Sequence, residues 1–323
     1  LMSLGKYFFL SRPRRFGKSL LISTMECYFR GERELFRGLA IDSLEPEEWK
    51  ANPVLRLDFT QRGYRTPKDL DKVLSQTLDK WEKEYGAPNP DDSPSGRFNR
   101  LINYIYEQTG RKVAILIDEY DSPIVDTHDK PELEALNRRT LHDFYRVMKA
   151  NEDYLKFVFL TGVGKIGQIN VFSGLNNLID ISIDTRYSAI CGITEQELHD
   201  NFQEGIEELG QEMEMTSDMA LQELKNKYDG YHFSRRLVDI YNPFSLLKAL
   251  YYGSFGDYWF QSGTPTRLVR QFLEQDWGKV DLEGTSVSES DLDSGDVLGN
   301  NLALSCYCLL YTSPSPRDYA ASR

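Results

Sequence analysis

Five consecutive apolar residues, Val113-Ala114-Ile115-Leu116-Ile117, run straight into Asp118 and Glu119. A strand with one wet face alternates apolar and polar positions, so this unbroken run predicts a strand buried on both faces, in a parallel sheet covered by helices. Tyr7-Phe8-Phe9-Leu10, Val54-Leu55-Arg56-Leu57-Asp58-Phe59 and Phe157-Val158-Phe159-Leu160 read as further strands, with a weaker one over 178–183. Helical spacing separates them. Leu20, Leu21, Met25, Tyr28 and Phe29 form one stripe, and Leu70, Val73, Leu74, Leu78 and Trp81 form another behind Pro67. Two more helices are predicted over 98–108 and 131–150, the first preceded by a proline-containing surface loop over 86–96. This alternation predicts an α/β domain over 1–190.

From Thr194 the pattern turns helical. Thr194-Glu195-Gln196-Glu197 has the form of a capping box, and Leu198, Phe202, Ile206 and Leu209 share one stripe. With helices expected over 216–228 and from Pro243, residues 191–278 read as a smaller helical domain. The stretch 279–307 reads as a flexible acidic linker, because Asp281, Glu283, Glu289, Asp291, Asp293 and Asp296 stand among Ser and Gly with no basic residue between 281 and 296. Residues 308–318 resemble a translated sequencing adapter, so native sequence is expected to stop near Tyr307 and 308–323 to be a non-native tail. The short approach to Lys6 suggests an internal fragment of a longer protein.

A net charge of −12 argues against general coating of nucleic acid. Apolar runs fall far short of the ~20 residues that span a bilayer, which predicts no membrane span. Four cysteines (Cys27, Cys191, Cys306, Cys308) form no CxxC framework, which favours a reducing cytoplasm. The four histidines lie too far apart in sequence for familiar zinc spacing.

The chemistry concentrates in two places. Nucleotide phosphates require backbone N–H donors at a helix start, a lysine that reaches the β and γ phosphates, and a hydroxyl for Mg²⁺. Gly17-Lys18-Ser19 supplies these between the first strand and first helix, within the loop Arg12-Pro13-Arg14-Arg15-Phe16-Gly17-Lys18-Ser19. Arg12 stands where the motif G-x-x-x-x-G-K-[ST] has its first glycine, which puts the usual left-handed turn in question. Arg12, Arg14, Arg15 and Lys18 nevertheless concentrate positive charge as a multiply charged anion favours. The second place is the end of the apolar strand, where an α/β sheet gathers its ligands. Asp118 is placed to hold Mg²⁺ together with Ser19, and Glu119 to orient and polarise the water that attacks the γ-phosphoryl group. Asp121 fits either a hydrogen-bonding role beside these acids or plain exposure.

Two roles fit Thr161, at the end of the neighbouring strand: sensing the γ-phosphate, or ordinary strand-end hydrogen bonding. Arg186 fits either a transition-state positive charge or a surface ion pair. Tyr228-Asp229-Gly230-Tyr231-His232-Phe233 and Tyr251-Tyr252 fit base stacking or packing within the helical domain.

Taken together, these stretches resemble the bacterial AAA-ATPase-like family, whose longer members carry a PD-(D/E)XK nuclease-like domain at the C-terminus. The residues that carry the resemblance are those from Leu10 through Ser19, Leu116-Ile117-Asp118-Glu119-Tyr120-Asp121, Phe159-Leu160-Thr161-Gly162-Val163 and Phe172-Ser173-Gly174-Leu175-Asn176-Asn177. It continues through Tyr228-Asp229-Gly230-Tyr231, Tyr241-Asn242-Pro243-Phe244-Ser245 and Tyr258-Trp259-Phe260 to Ser262-Gly263-Thr264-Pro265, covering about residues 6–270. The resemblance implies that an arginine at the first-glycine position is family character. It also implies a P-loop NTPase three-layer sandwich of the additional-strand type, with a mainly parallel sheet and the Lys18 strand between the Thr161 strand and one further strand. A small helical lid domain follows, and the nuclease-like domain lies outside this chain. Tyr241-Asn242-Pro243-Phe244 looks like the motif by which signal-transduction ATPases place a lid over the base, so Pro243 either contacts adenine or simply presets the first turn of a helix.

The leading functional expectation is Mg²⁺-dependent ATP binding and hydrolysis that drives a conformational change, coupled in the full-length protein to the nuclease-like domain. The alternative is an ATP-binding regulatory switch with negligible turnover, acting through a partner or a homo-oligomer. A metal nuclease built on Asp118, Glu119 and Asp121 lacks a nearby Glu-x-Lys partner and leaves Lys18 unexplained. Nucleic acid is expected as a partner only through the missing domain.

Overall fold

The computed structural model describes residues 1–45, 49–61, 63–89, 92–162, 177–234 and 238–258. The motif positions Val163, 172–176, 259–260 and 262–265, together with the acidic stretch 279–307 and the tail 308–323, lie outside them. Contacts divide the chain into two units, one of residues 1–11 and 19–180 and the other of 12–18 and 181 onward.

The first unit is built on a five-stranded sheet of β1 (Tyr7–Ser11), β2 (Val54–Asp58), β3 (Val113–Asp118), β4 (Leu155–Gly162) and β5 (Leu178–Asp180). The strands are ordered β2-β3-β4-β1-β5, and every neighbouring pair is parallel. β1 thus lies between β4 and β5, the neighbours that the resemblance implies. All six residues of β3 are buried, as its unbroken apolar run requires. Parallel pairing brings the ends of the strands to one edge: Leu10 pairs with Thr161, Ile117 with Leu160 and Asp58 with Asp118.

Helices supply the covering layers. The helix α1 (Lys18–Arg30) sets Phe29 against Phe157 of β4, with ring centroids 5.1 Å apart. After α2 (Ala40–Leu44), the long helices α3 (Pro67–Tyr85) and α4 (Pro94–Thr109) pack against each other, and α4 also packs on β3. The helix α4 begins four residues before the start predicted at 98. Ser93 accepts a hydrogen bond from the Gly96 amide and Pro94 presets the first turn, so the cap pulls the end of the expected loop into the helix. The short α5 (Ser122–Val125) leads to α6 (Pro131–Ala150), whose Phe144 stacks on Phe98 of α4 at 4.4 Å.

The second unit holds a two-stranded antiparallel sheet of β6 (Ile193–Thr194) and β7 (Ile240–Tyr241). It also holds α7 (Glu195–Asn201), α8 (Gln203–Glu212), α9 (Ser217–Tyr228) and α10 (Pro243–Tyr252). Leu198, Ile206, Leu209, Leu224 and Leu246 meet in its core, which is why the stripe of α7 and α8 repeats at helical spacing. Thr194 and Glu197 form the reciprocal cap that the sequence suggests, the Thr194 hydroxyl accepting from the Glu197 amide and the Glu197 carboxylate from the Thr194 amide. Thr194→Ala is expected to cost about 1 kcal/mol of stability. The check is a lower urea midpoint with unchanged slope, and an unchanged midpoint would refute the cap's contribution. Among the described residues no helix is long and apolar enough to cross a membrane.

Candidate functional site

The loop leaves β1 at Ser11 and becomes helical at Lys18, and its residues 12–18 group with the second unit. Two of its residues take left-handed backbone, Arg15 at φ 69° and Gly17 at φ 88°. The strain that a first glycine normally absorbs is therefore displaced along the loop, away from Arg12, and a non-glycine residue carries part of it at a cost of about 1 kcal/mol. Phe16 is buried, edge-on to Tyr231 at 4.8 Å and to Phe233 at 5.3 Å. Of the aromatic run 228–233, Tyr231 and Phe233 thus pack against the loop, while Tyr228 packs in the helical core. Arg15 is exposed and holds its guanidinium 4.4 Å from the ring centroid of Phe244.

Arg12 is 1% exposed. Its Nη1 donates to the Ser182 carbonyl at 2.7 Å, Nη2 to that of Tyr187 at 2.9 Å and Nε to that of Ile190 at 3.2 Å. The Phe233 ring lies 4.2 Å from its Cζ. Lys18 is also buried, and its ammonium donates to the carbonyl oxygens of Arg12 at 2.9 Å and Pro13 at 3.1 Å. Arg14 is exposed, Pro13 is buried, and Pro243 stands half-buried at the first turn of α10. That turn is capped by Asn242, which accepts from the Ser245 amide at 3.0 Å.

The carboxylates belong to the first unit. Asp118 is 1% exposed, and its Oδ1 accepts from the Thr161 hydroxyl at 2.6 Å. The same hydroxyl oxygen accepts from the Glu119 amide at 3.3 Å, while the Thr161 carbonyl accepts from the Tyr120 amide at 2.9 Å. Thr161 therefore holds the Asp118 carboxylate and the Glu119 backbone, through strand-end hydrogen bonding of the kind its position allows. β3 stops abruptly because Glu119 turns left-handed, at φ 52°, leaving its side chain half-buried. Asp118 Oδ2 and the exposed Ser19 Oγ have no hydrogen-bond partner among the described residues. Hard oxygen donors of this kind fit Mg²⁺.

Asp121 is buried rather than exposed. It lies with Tyr120 against Gly162, where a Cβ would stand 2.6 Å from the Tyr120 ring and 2.9 Å from Asp121 Oδ1. Burial, and then the charge of Asp121, push the Tyr120 phenol far above its ordinary range. Asp58 carries the same signature as Asp118, an acid ending a buried strand, and pairs with it in register. Its Oδ1 accepts from the amide and hydroxyl of Thr60, so it closes a turn. Arg186 makes a forked ion pair with Asp184, Nη2 to Oδ2 at 2.6 Å and Nε to Oδ1 at 3.0 Å, and is largely exposed. Those hydrogen bonds hold the Asp184 carboxyl below its usual range.

Residues 1–172 match the model of a family described as a predicted AAA-ATPase. An uncharacterized protein in the vnfD 5′ region of Azotobacter chroococcum mcd 1 is 36% identical over 298 residues, which is 92% of this chain and 55% of that relative. The chain thus spans little more than half the length of the curated relative it matches.

Proposed function

Because the chain belongs to the predicted AAA-ATPase family, we propose that it is a Mg²⁺-dependent ATPase of the P-loop, additional-strand type. The observation that carries this reading is the Asp118–Thr161–Glu119 clasp at the end of a fully buried strand. The loop 12–19 supplies the anion-binding part. Lys18 exchanges the carbonyls of Arg12 and Pro13 for the β and γ phosphates, and the amides at the start of α1 donate to phosphate oxygens. Ser19 and Asp118 hold Mg²⁺, which neutralises phosphate charge. Glu119 accepts a hydrogen bond from water and takes its proton as the oxygen attacks the γ phosphorus, giving ADP and phosphate. Pro243, in the same unit as 12–18, serves the adenine, and the helical part 191–258 acts as a lid that responds to nucleotide. In the longer protein this response acts on a nuclease-like domain.

One observation favours the second reading, a switch that binds ATP and turns over negligibly. Arg186 already pairs with Asp184 in its own turn, so it does not offer an uncommitted positive charge to the transition state. The test is titration of the 323-residue chain with ATP, with and without Mg²⁺, alongside phosphate release. Lys18→Ala is expected to weaken ATP binding by about tenfold to a hundredfold, the worth of one or two charge-assisted hydrogen bonds. Tight binding without phosphate release supports the switch, and absence of binding by the wild type overturns both readings.

A further inference from the structure

We propose that Arg12 is a positioning residue that ties the phosphate loop to the segment 182–190 and thereby sets the place of Lys18. The proposal rests on the phosphate-loop reading for its consequence on nucleotide affinity, and on geometry for the tie itself. A guanidinium that serves phosphate from solvent needs its donors directed outward. Arg12 instead directs three donors onto three backbone carbonyls of one segment. That segment has little regular structure besides the turn Thr185–Tyr187; the Tyr187 carbonyl also accepts from the Ile190 amide, and Arg12 adds donors that the segment's own backbone does not supply. Only a planar fork with donors on both edges bonds Ser182, Tyr187 and Ile190 together, which lysine cannot imitate.

The tie extends to both ends of the loop. Phe233 lies under the Arg12 guanidinium and also against Phe16, one residue before Gly17. The Lys18 ammonium rests on the carbonyl oxygen of Arg12 itself, so whatever fixes the Arg12 backbone fixes the resting place of Lys18. By linkage, anything that shifts 182–190, including the Asp184–Arg186 turn, alters nucleotide affinity, and nucleotide alters that segment in return. An arginine in the first-glycine position is then a device that couples the loop to the segment 182–190.

The experiment compares wild type, Arg12→Lys, Arg12→Gly and Phe233→Leu as full chains. In nucleotide-free protein, R12K is expected to speed amide hydrogen exchange at Ile190 and Gly192, whose N–H groups bond Tyr187 and Ala189. Exchange in α8 and α9 should stay unchanged. R12G restores the common motif, yet is expected to weaken Mg²⁺-ATP binding by about tenfold or more, because the lost bonds are charge-assisted. F233L keeps the three carbonyl bonds and removes the ring beneath the guanidinium, so it is the milder variant should R12K fail to fold, with a smaller increase of exchange at the same two amides. Unchanged exchange at those amides overturns the tie, and R12G binding ATP as well as wild type overturns its setting of Lys18. Weaker binding by R12K with unchanged exchange would make Arg12 a phosphate ligand and also overturn the proposal. If wild type binds no ATP, the ATPase reading fails while the exchange result still decides the tie.

Discussion

Glu119→Gln is expected to lower phosphate release by about 10²–10⁴-fold, the usual contribution of a positioned acid–base group, while ATP affinity changes little. Glutamine keeps the length and the hydrogen-bonding reach of the side chain but cannot take the proton of the attacking water. It also makes the same backbone demand at φ 52°, and the hydrogen bond that the residue 119 amide donates to Thr161 Oγ1 survives because it comes from the main chain. Loss of rate with retained binding therefore isolates the carboxylate from the fold around it. Phosphate release by E119Q at the wild-type rate would remove Glu119 from the mechanism. Steady-state phosphate release and an equilibrium ATP titration on the same preparation decide between these outcomes.

Arg97→Ala is expected to destabilise the first unit by about 3–5 kcal/mol, because it leaves a buried carboxylate without its partner. Arg97 of α4 reaches across to α3, where its Nε donates to Glu82 Oε1 at 3.0 Å and its Nη2 also meets Asp79 at 2.6 Å. The Arg97 and Glu82 side chains are only 8% and 4% exposed. Glu82→Ala should cost less, since Asp79 remains to pair the guanidinium. Replacing the pair together, Arg97→Met with Glu82→Leu, should restore most of the loss, as apolar replacements of buried ion pairs do. Urea unfolding of the three variants provides the check, and a loss below about 1 kcal/mol for R97A would mean the pair behaves like a surface bridge.

The family assignment bears on how such effects are read. Residues 1–172 carry the family match, so the acids, Thr161 and the loop lie inside it, whereas the carbonyls that hold Arg12 come from 182–190, beyond the matched span. The coupling proposed for Arg12 therefore joins the part of the chain that the family model recognises to a part outside that model.

Local pattern was sufficient for much of the first unit. The unbroken run before Asp118 announced β3 because burial on both faces leaves no polar position in between. The helix over 131–150 emerged with both bounds as expected, since a proline start and an amphipathic stripe are short-range signals. Thr194 and Glu197 were likewise readable as a cap, their partners being three residues apart. The amino-acid sequence by itself thus determined the α/β character, the strand-end acids and the loop before α1. Tertiary structure decided the burial of Asp121 against Gly162, the closure of the Asp58 carboxylate on its own turn and the left-handed backbone at Arg15 and Glu119. It also decided what Arg12 does, since its acceptors lie at least 170 residues away along the chain. The physical reason is that periodicity records how buried a position is, whereas a backbone carbonyl is common to every residue.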